Sequence, residues 1–123
     1  GVSDPIYPLE MKSGAHVTVG GVWTNASSRE YKEDIRELSS DDAARALEGL
    51  RPVTFKYKTD RSDEYVGFIA EDVPDLVATK DRKGMSSMDV VAVLTKVLQE
   101  QQKTIDRLSA QVQELQASQS RVQ

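Results

Sequence analysis

From Val91 to the end of the chain, apolar residues recur at a spacing that only a helix explains. With Val91 as an a position, the a series reads Val91, Leu98, Ile105, Val112 and Gln119. The d series reads Leu94, Gln101, Leu108, Leu115 and Val122. A helix of this length, at about 1.5 Å per residue, runs on the order of 50 Å, farther than so small a domain extends. Its stripe must therefore be covered by other helices, and a coiled coil is expected. The β-branched and Leu mixture at a, with Leu prevailing at d, leaves dimer and trimer both open. Gln101 and Gln119 are polar core positions that fix register at some cost in stability.

The rest of the chain offers little with which to cover that stripe. Of 123 residues 38% are hydrophobic and 6% aromatic, enough for one modest core, and a monomer of this kind is poorly stabilised. Self-association is expected. The chain has no cysteine and one histidine, His16, which leaves neither disulfides nor a Cys-ligated or two-histidine zinc site. No metal site or cofactor is expected. A net charge of −4 with acids and bases interleaved gives no basic stripe to follow a phosphate backbone, and no apolar run is long enough for a membrane span. Neither nucleic acid nor membrane is an expected partner. The first residues lack a signal peptide's basic and apolar regions, so a targeting signal is expected only upstream.

Before the helix the pattern changes several times. Residues 1–26 contain two early prolines and the β-prone run "HVTVGGVWT", an extended leader with a turn or bulge at Gly20-Gly21. Tyr31, Ile35 and Leu38 then fall at i, i+4, i+7, which predicts a first helix. After Ser39 and Ser40 a second short helix carries Ala43, Leu47 and Leu50 and ends near Gly49 and Pro52. "PVTFKYK" and "YVGFIAEDV" read as a hairpin joined by a polar turn "TDRSDE". Asp60, Asp63 and Glu64 in that turn lack calcium-loop spacing and read as solvated. "SSMD", Ser86 to Asp89, reads as a capping box that starts the terminal helix. Trp23 reads as a packed aromatic at the end of the leader. The fold class is α+β: a small helix-and-hairpin domain with a β-type leader and a long C-terminal coiled-coil helix. Its parts are expected at residues 1–26, 27–89 and 90–123.

One short stretch, "NASSREYKEDI", admits two readings. The simpler makes Ser27 and Glu30 a capping box at the start of the first helix. The chemical one pairs Ser27 with Lys32. Residues five apart on a continuous helix lie about 140° from each other and do not meet. They meet only if Ser27 sits outside the helix, on a bend. A lysine base must also be neutral, which desolvation favours and the neighbouring Glu30, Glu33 and Asp34 oppose.

From Ser27 on, the chain resembles the intramolecular chaperone domain at the C-terminal end of phage tail spikes, tail fibres and endosialidases, the S74 peptidase family. The resemblance rests on four blocks in order: "SSREYKEDI", "LEGLRPVTFKYK", "YVGFIAEDVPDLV" and "MDVVAVLTKVLQEQQKTI" leading into the heptads. It implies a homotrimer that helps the upstream stalk of the same polypeptide to fold and then releases itself. By position, Ser27 is the nucleophile, Lys32 its base, and Ala26–Ser27 the scissile bond of a single-turnover serine endopeptidase. Residues 1–26 then end the mature stalk of a phage or prophage-derived tail protein, assembled in the bacterial cytoplasm. The family's motif begins Ser-Asp, and here Ser28 stands in the aspartate's place. A non-cleaving trimerisation and capping module, with Ser27 as an N-cap, is the alternative. A receptor-binding tip has no specific support.

Overall fold

Glycine decides the shape of the leader. Gly14 at φ 94° and Gly21 at φ 85° occupy the left-handed region that side chains disfavour, and each closes a turn. The Gly14 amide donates to the Met11 carbonyl and the Gly21 amide to the Thr18 carbonyl, both at 2.9 Å. These turns join three two-residue strands, β1 (Leu9–Glu10), β2 (His16–Val17) and β3 (Trp23–Thr24), into an antiparallel meander. Leu9 pairs with Val17, and Val17 with Trp23. Tyr7 stacks on His16 with ring centroids 3.8 Å apart. The computed structural model describes residues 3–122. It falls into two compact units, one ending at Glu37 and one beginning at Leu38.

The first unit has almost no interior. None of its described residues is fully buried, and Ile6, Val19 and Val22 stand exposed. Sheets so short are marginal without a hydrophobic face packed on something else. Trp23, expected to be packed, is 55% exposed, and its Nε1 donates to Asn25 Oδ1 at 3.1 Å. The helix expected through Tyr31, Ile35 and Leu38 does not form. In its place a single 3₁₀ turn, Arg29–Tyr31, is followed by irregular chain. Tyr31 and Ile35 are 63% and 53% exposed, so of the stripe only Leu38 packs on a core, and an isolated short helix is unstable without packing.

The second unit builds a core from small side chains. α1 (Ser40–Gly49) starts where the serines place it, with the Ser39 hydroxyl accepting from the Asp42 amide at 3.1 Å. Its Ala46 packs with Val73, Val77 and Val93 in one buried cluster, ringed by Leu38, Leu47, Leu50, Phe68, Ala78, Met85 and Val90. The expected hairpin is present as β4 (Val53–Tyr57) and β5 (Asp60–Gly67), pairing Val53 with Gly67 and Phe55 with Tyr65. The chain reverses within two residues rather than across the polar stretch, so Asp60 to Glu64 lie in β5. Both faces of that stretch are exposed, which explains how a polar run is tolerated in a strand. Phe55, Tyr57 and Tyr65 form an aromatic group with centroids 5.2 to 5.9 Å apart.

Between hairpin and terminal helix, two 3₁₀ turns (Ala70–Asp72 and Asp75–Val77) carry Val73 and Val77 into the core. Arg82 fixes them, its guanidinium donating to the Asp75 carboxylate and to the carbonyls of Glu71 and Val73. α2 (Ser87–Val122) then runs 36 residues. At its start the Asp89 amide donates to the Ser86 backbone carbonyl at 3.2 Å. Its first turns dock on α1 through Val93, while beyond Glu100 every described residue is exposed.

Candidate functional site

Ser27 lies between β3 and the 3₁₀ turn, outside any helix or strand. The cap of that turn is Ser28, at φ −62° and ψ 145°, whose hydroxyl accepts from the Glu30 amide at 3.4 Å. The capping role expected for Ser27 therefore falls one residue later. The cause is the tighter winding: with i to i+3 bonds, Tyr31 donates to the Ser28 carbonyl and Lys32 to the Arg29 carbonyl, both at 3.1 Å. Ser27 is left outside the turn, and among the described residues its hydroxyl has no backbone partner.

Lys32 ends the same turn in an extended conformation, φ −125° and ψ 149°. Its side chain folds back over the turn, and Nζ donates to Ser27 Oγ at 2.7 Å. The bend that the pairing of these two residues requires is thus present, because a 3₁₀ turn replaces the helix. Both side chains are exposed in the single chain, and Ala26, before Ser27, is half-buried. The turn at Gly14 passes close to it: a Cβ placed on Gly14 would lie 3.6 Å from the Ala26 methyl. A hydroxyl held by an amine next to its own peptide bond is suited to attack that bond, provided the amine is neutral.

The heptad residues form a second, separate feature. Val91, Leu94, Leu98, Ile105, Leu108, Val112 and Leu115 are all exposed, from 39% at Leu94 to 66% at Leu115, and so is Gln101. α2 carries another stripe, Val90, Val93 and Val97, and this one faces the domain. The sequence reading assigned only the outer stripe, although the inner follows i, i+3, i+7 spacing as well. Gln101 and Ile105 also line a groove of about 500 Å³ with Ala44, Leu47 and Glu48 of α1.

Among the described residues four carboxyls, all in the second unit, are held below their ordinary values. Asp60 is lowered chiefly by Ser62, whose hydroxyl donates at 2.6 Å. Asp81 is lowered by the hydroxyl of Thr79 and the amide of Lys83. Glu71 is lowered by backbone hydrogen bonding and by Lys83, and Glu100 by Lys103 and then Ser40. Among the described residues no cluster of three His, Asp or Glu side chains is arranged to hold a metal ion. No helix among them is long and apolar enough to cross a membrane.

Residues 27–80 match the peptidase S74 family model, described as chaperone of endosialidase. The matched segment opens on Ser27. No curated protein and no solved structure matches the chain significantly.

Proposed function

We propose that this S74-type domain is an intramolecular chaperone that trimerises, drives folding of an upstream tail-fibre or tail-spike-like stalk, and releases itself by cutting between Ala26 and Ser27. The observation that carries the cut is the 2.7 Å bond from Lys32 Nζ to Ser27 Oγ. As a free amine, Lys32 takes the hydroxyl proton while Oγ attacks the Ala26 carbonyl carbon. The Ala26–Ser27 C–N bond then breaks, and the Ser27 nitrogen takes up a proton. Ala26 is left esterified to Ser27 Oγ. Water hydrolyses the ester, freeing an Ala26 carboxylate and a Ser27 hydroxyl beneath a new N-terminus.

The exposed stripe of α2 supports the assembly half of the proposal. Each chain presents Val91, Leu94, Leu98, Ile105, Leu108, Val112 and Leu115 largely exposed, the surface a coiled coil requires; three chains follow from the S74 likeness. Joining three C-termini raises the effective concentration of the stalk segments for one another. That matters for a stalk whose pairing is non-local, slow and open to aggregation. Release afterwards uncouples the folded stalk from its folding device and leaves a kinetically trapped product. The site of action is a phage or prophage-derived tail, assembled in the bacterial cytoplasm.

The test is the intact mass of freshly purified chain over several days, beside Ser27→Ala and Lys32→Ala. A product of residues 27–123, absent from both variants, is the expected result. An unchanging full-length mass in an assembled sample would overturn the proteolytic half and leave a permanent trimerisation clamp.

A further inference from the structure

Among the described residues two that are not glycine have positive φ, Asp34 at 52° and Arg82 at 54°. Such a backbone is uncommon, and aspartate tolerates it better than most residues. Arg82 has evident anchors, its guanidinium being bonded to Asp75, Glu71 and Val73. The hydrogen bonds of the described residues give Asp34 no such anchor, and it lies exposed at a bend in irregular chain. Its one distinction is position, two residues after Lys32. Strained backbone of this kind collects where a side chain must be aimed.

We propose that Asp34 is a positioning residue for the serine–lysine pair, acting through its left-handed backbone rather than its carboxylate. This inference rests on the proteolytic reading above and deepens it. Lys32 leaves the 3₁₀ turn in an extended conformation, and its side chain must double back over the turn to reach Ser27. An extended chain that simply continued would leave the direction of Lys32 unspecified from its C-terminal side. The bend at Asp34 turns the chain two residues on and fixes that side. Aspartate suits the position because it accepts positive φ while sampling fewer alternatives than glycine.

The experiment compares Asp34→Asn, Asp34→Gly, Asp34→Ala and Asp34→Val with the parent chain, all in the assembled state. Asparagine and glycine accept positive φ, alanine does so poorly, and valine worst. Cleavage in D34N and D34G is expected within about threefold of the parent, and in D34V slower by about tenfold or more, with assembled mass and melting temperature unchanged. Should D34V fail to assemble, D34A takes its place in the comparison. A second readout is independent of cleavage: the nuclear Overhauser contact between Lys32 Hε and Ser27 Hβ, retained in D34N and lost in D34V. Retention of that contact in D34V overturns the proposal, as does cleavage by D34V at the parent rate or a loss in D34N equal to that in D34V. A parent chain that never cuts, with the contact following the expected pattern, overturns the proteolytic reading and leaves the positioning role standing.

Discussion

Val93 and Leu94 are adjacent on α2 and point about 100° apart, Val93 1% exposed against its own domain and Leu94 39% exposed on the outer stripe. One helix thus carries two apolar faces with separate tasks. Truncating each should have a distinct signature. Val93→Ala removes two buried methyls from the cluster with Ala46, Val73 and Val77 and should cost about 1–3 kcal/mol of stability. It should leave the assembled mass intact, as light scattering beside thermal unfolding would register. Leu98→Glu should do the reverse, lowering the assembled mass with little change to the packing of α1. Equal loss of assembly in both variants would mean that the two faces are not independent.

How much of this was legible in the sequence depended on whether local chemistry or partners decide the outcome. Ser39, Gly49 and Pro52 bracket α1 because a cap and its stop are local, and the alternation in "PVTFKYK" placed Val53 and Phe55 together for the same reason. Tyr31, Ile35 and Leu38 misled because helical spacing predicts a helix only where the whole stripe is covered, and Tyr31 and Ile35 stand exposed. The pairing of Ser27 with Lys32 was visible as a possibility but not as geometry, since it depends on a 3₁₀ turn replacing an α-turn. Val93 was hidden by a stronger neighbour: the heptads of Val91 and Leu94 drew the helix's whole apolar content to one face.

Gly49 should resist replacement by alanine although it sits in a helix. Alanine would ordinarily be favoured there by about 1 kcal/mol. A Cβ at this position, however, would come within 2.6 Å of Pro74 Cγ and 3.2 Å of its Cδ. Pro74 leads into the turn that delivers Val77 to the core, so relief of the clash disturbs packing. Gly49→Ala should destabilise the domain by about 1–3 kcal/mol net, measured by chemical denaturation. A stabilised variant would show that Pro74 gives way freely.

Acid should weaken the link between the two helices. Glu100 on α2 is held below its ordinary value of 4.5 by Lys103 and by Ser40 at the start of α1. A carboxyl whose pKa is lowered by folding contributes stability above its unfolded value and loses it as the pH falls through the folded one. The melting temperature should therefore decline as the pH drops below about 4.5, and Asp60, Glu71 and Asp81, shifted the same way, add to the slope. Glu100→Gln should flatten part of it. An unchanged slope in that variant would assign the acid sensitivity to the other three.

Lys32→Arg separates a base from a mere hydrogen-bond donor. The guanidinium carries donors of its own for Ser27 Oγ, which accepts from Lys32 at 2.7 Å. It cannot give up its proton at any pH the protein survives. If Lys32 serves as general base, the arginine variant should assemble and melt like the parent yet accumulate no product beginning at Ser27. If the lysine only orients the hydroxyl, or only supplies charge, arginine should retain a substantial part of the rate. Electrophoresis of the two proteins over the same days, with assembled mass checked in parallel, distinguishes these outcomes. A cutting arginine variant would transfer the proton to another acceptor and leave Ser27 as the nucleophile.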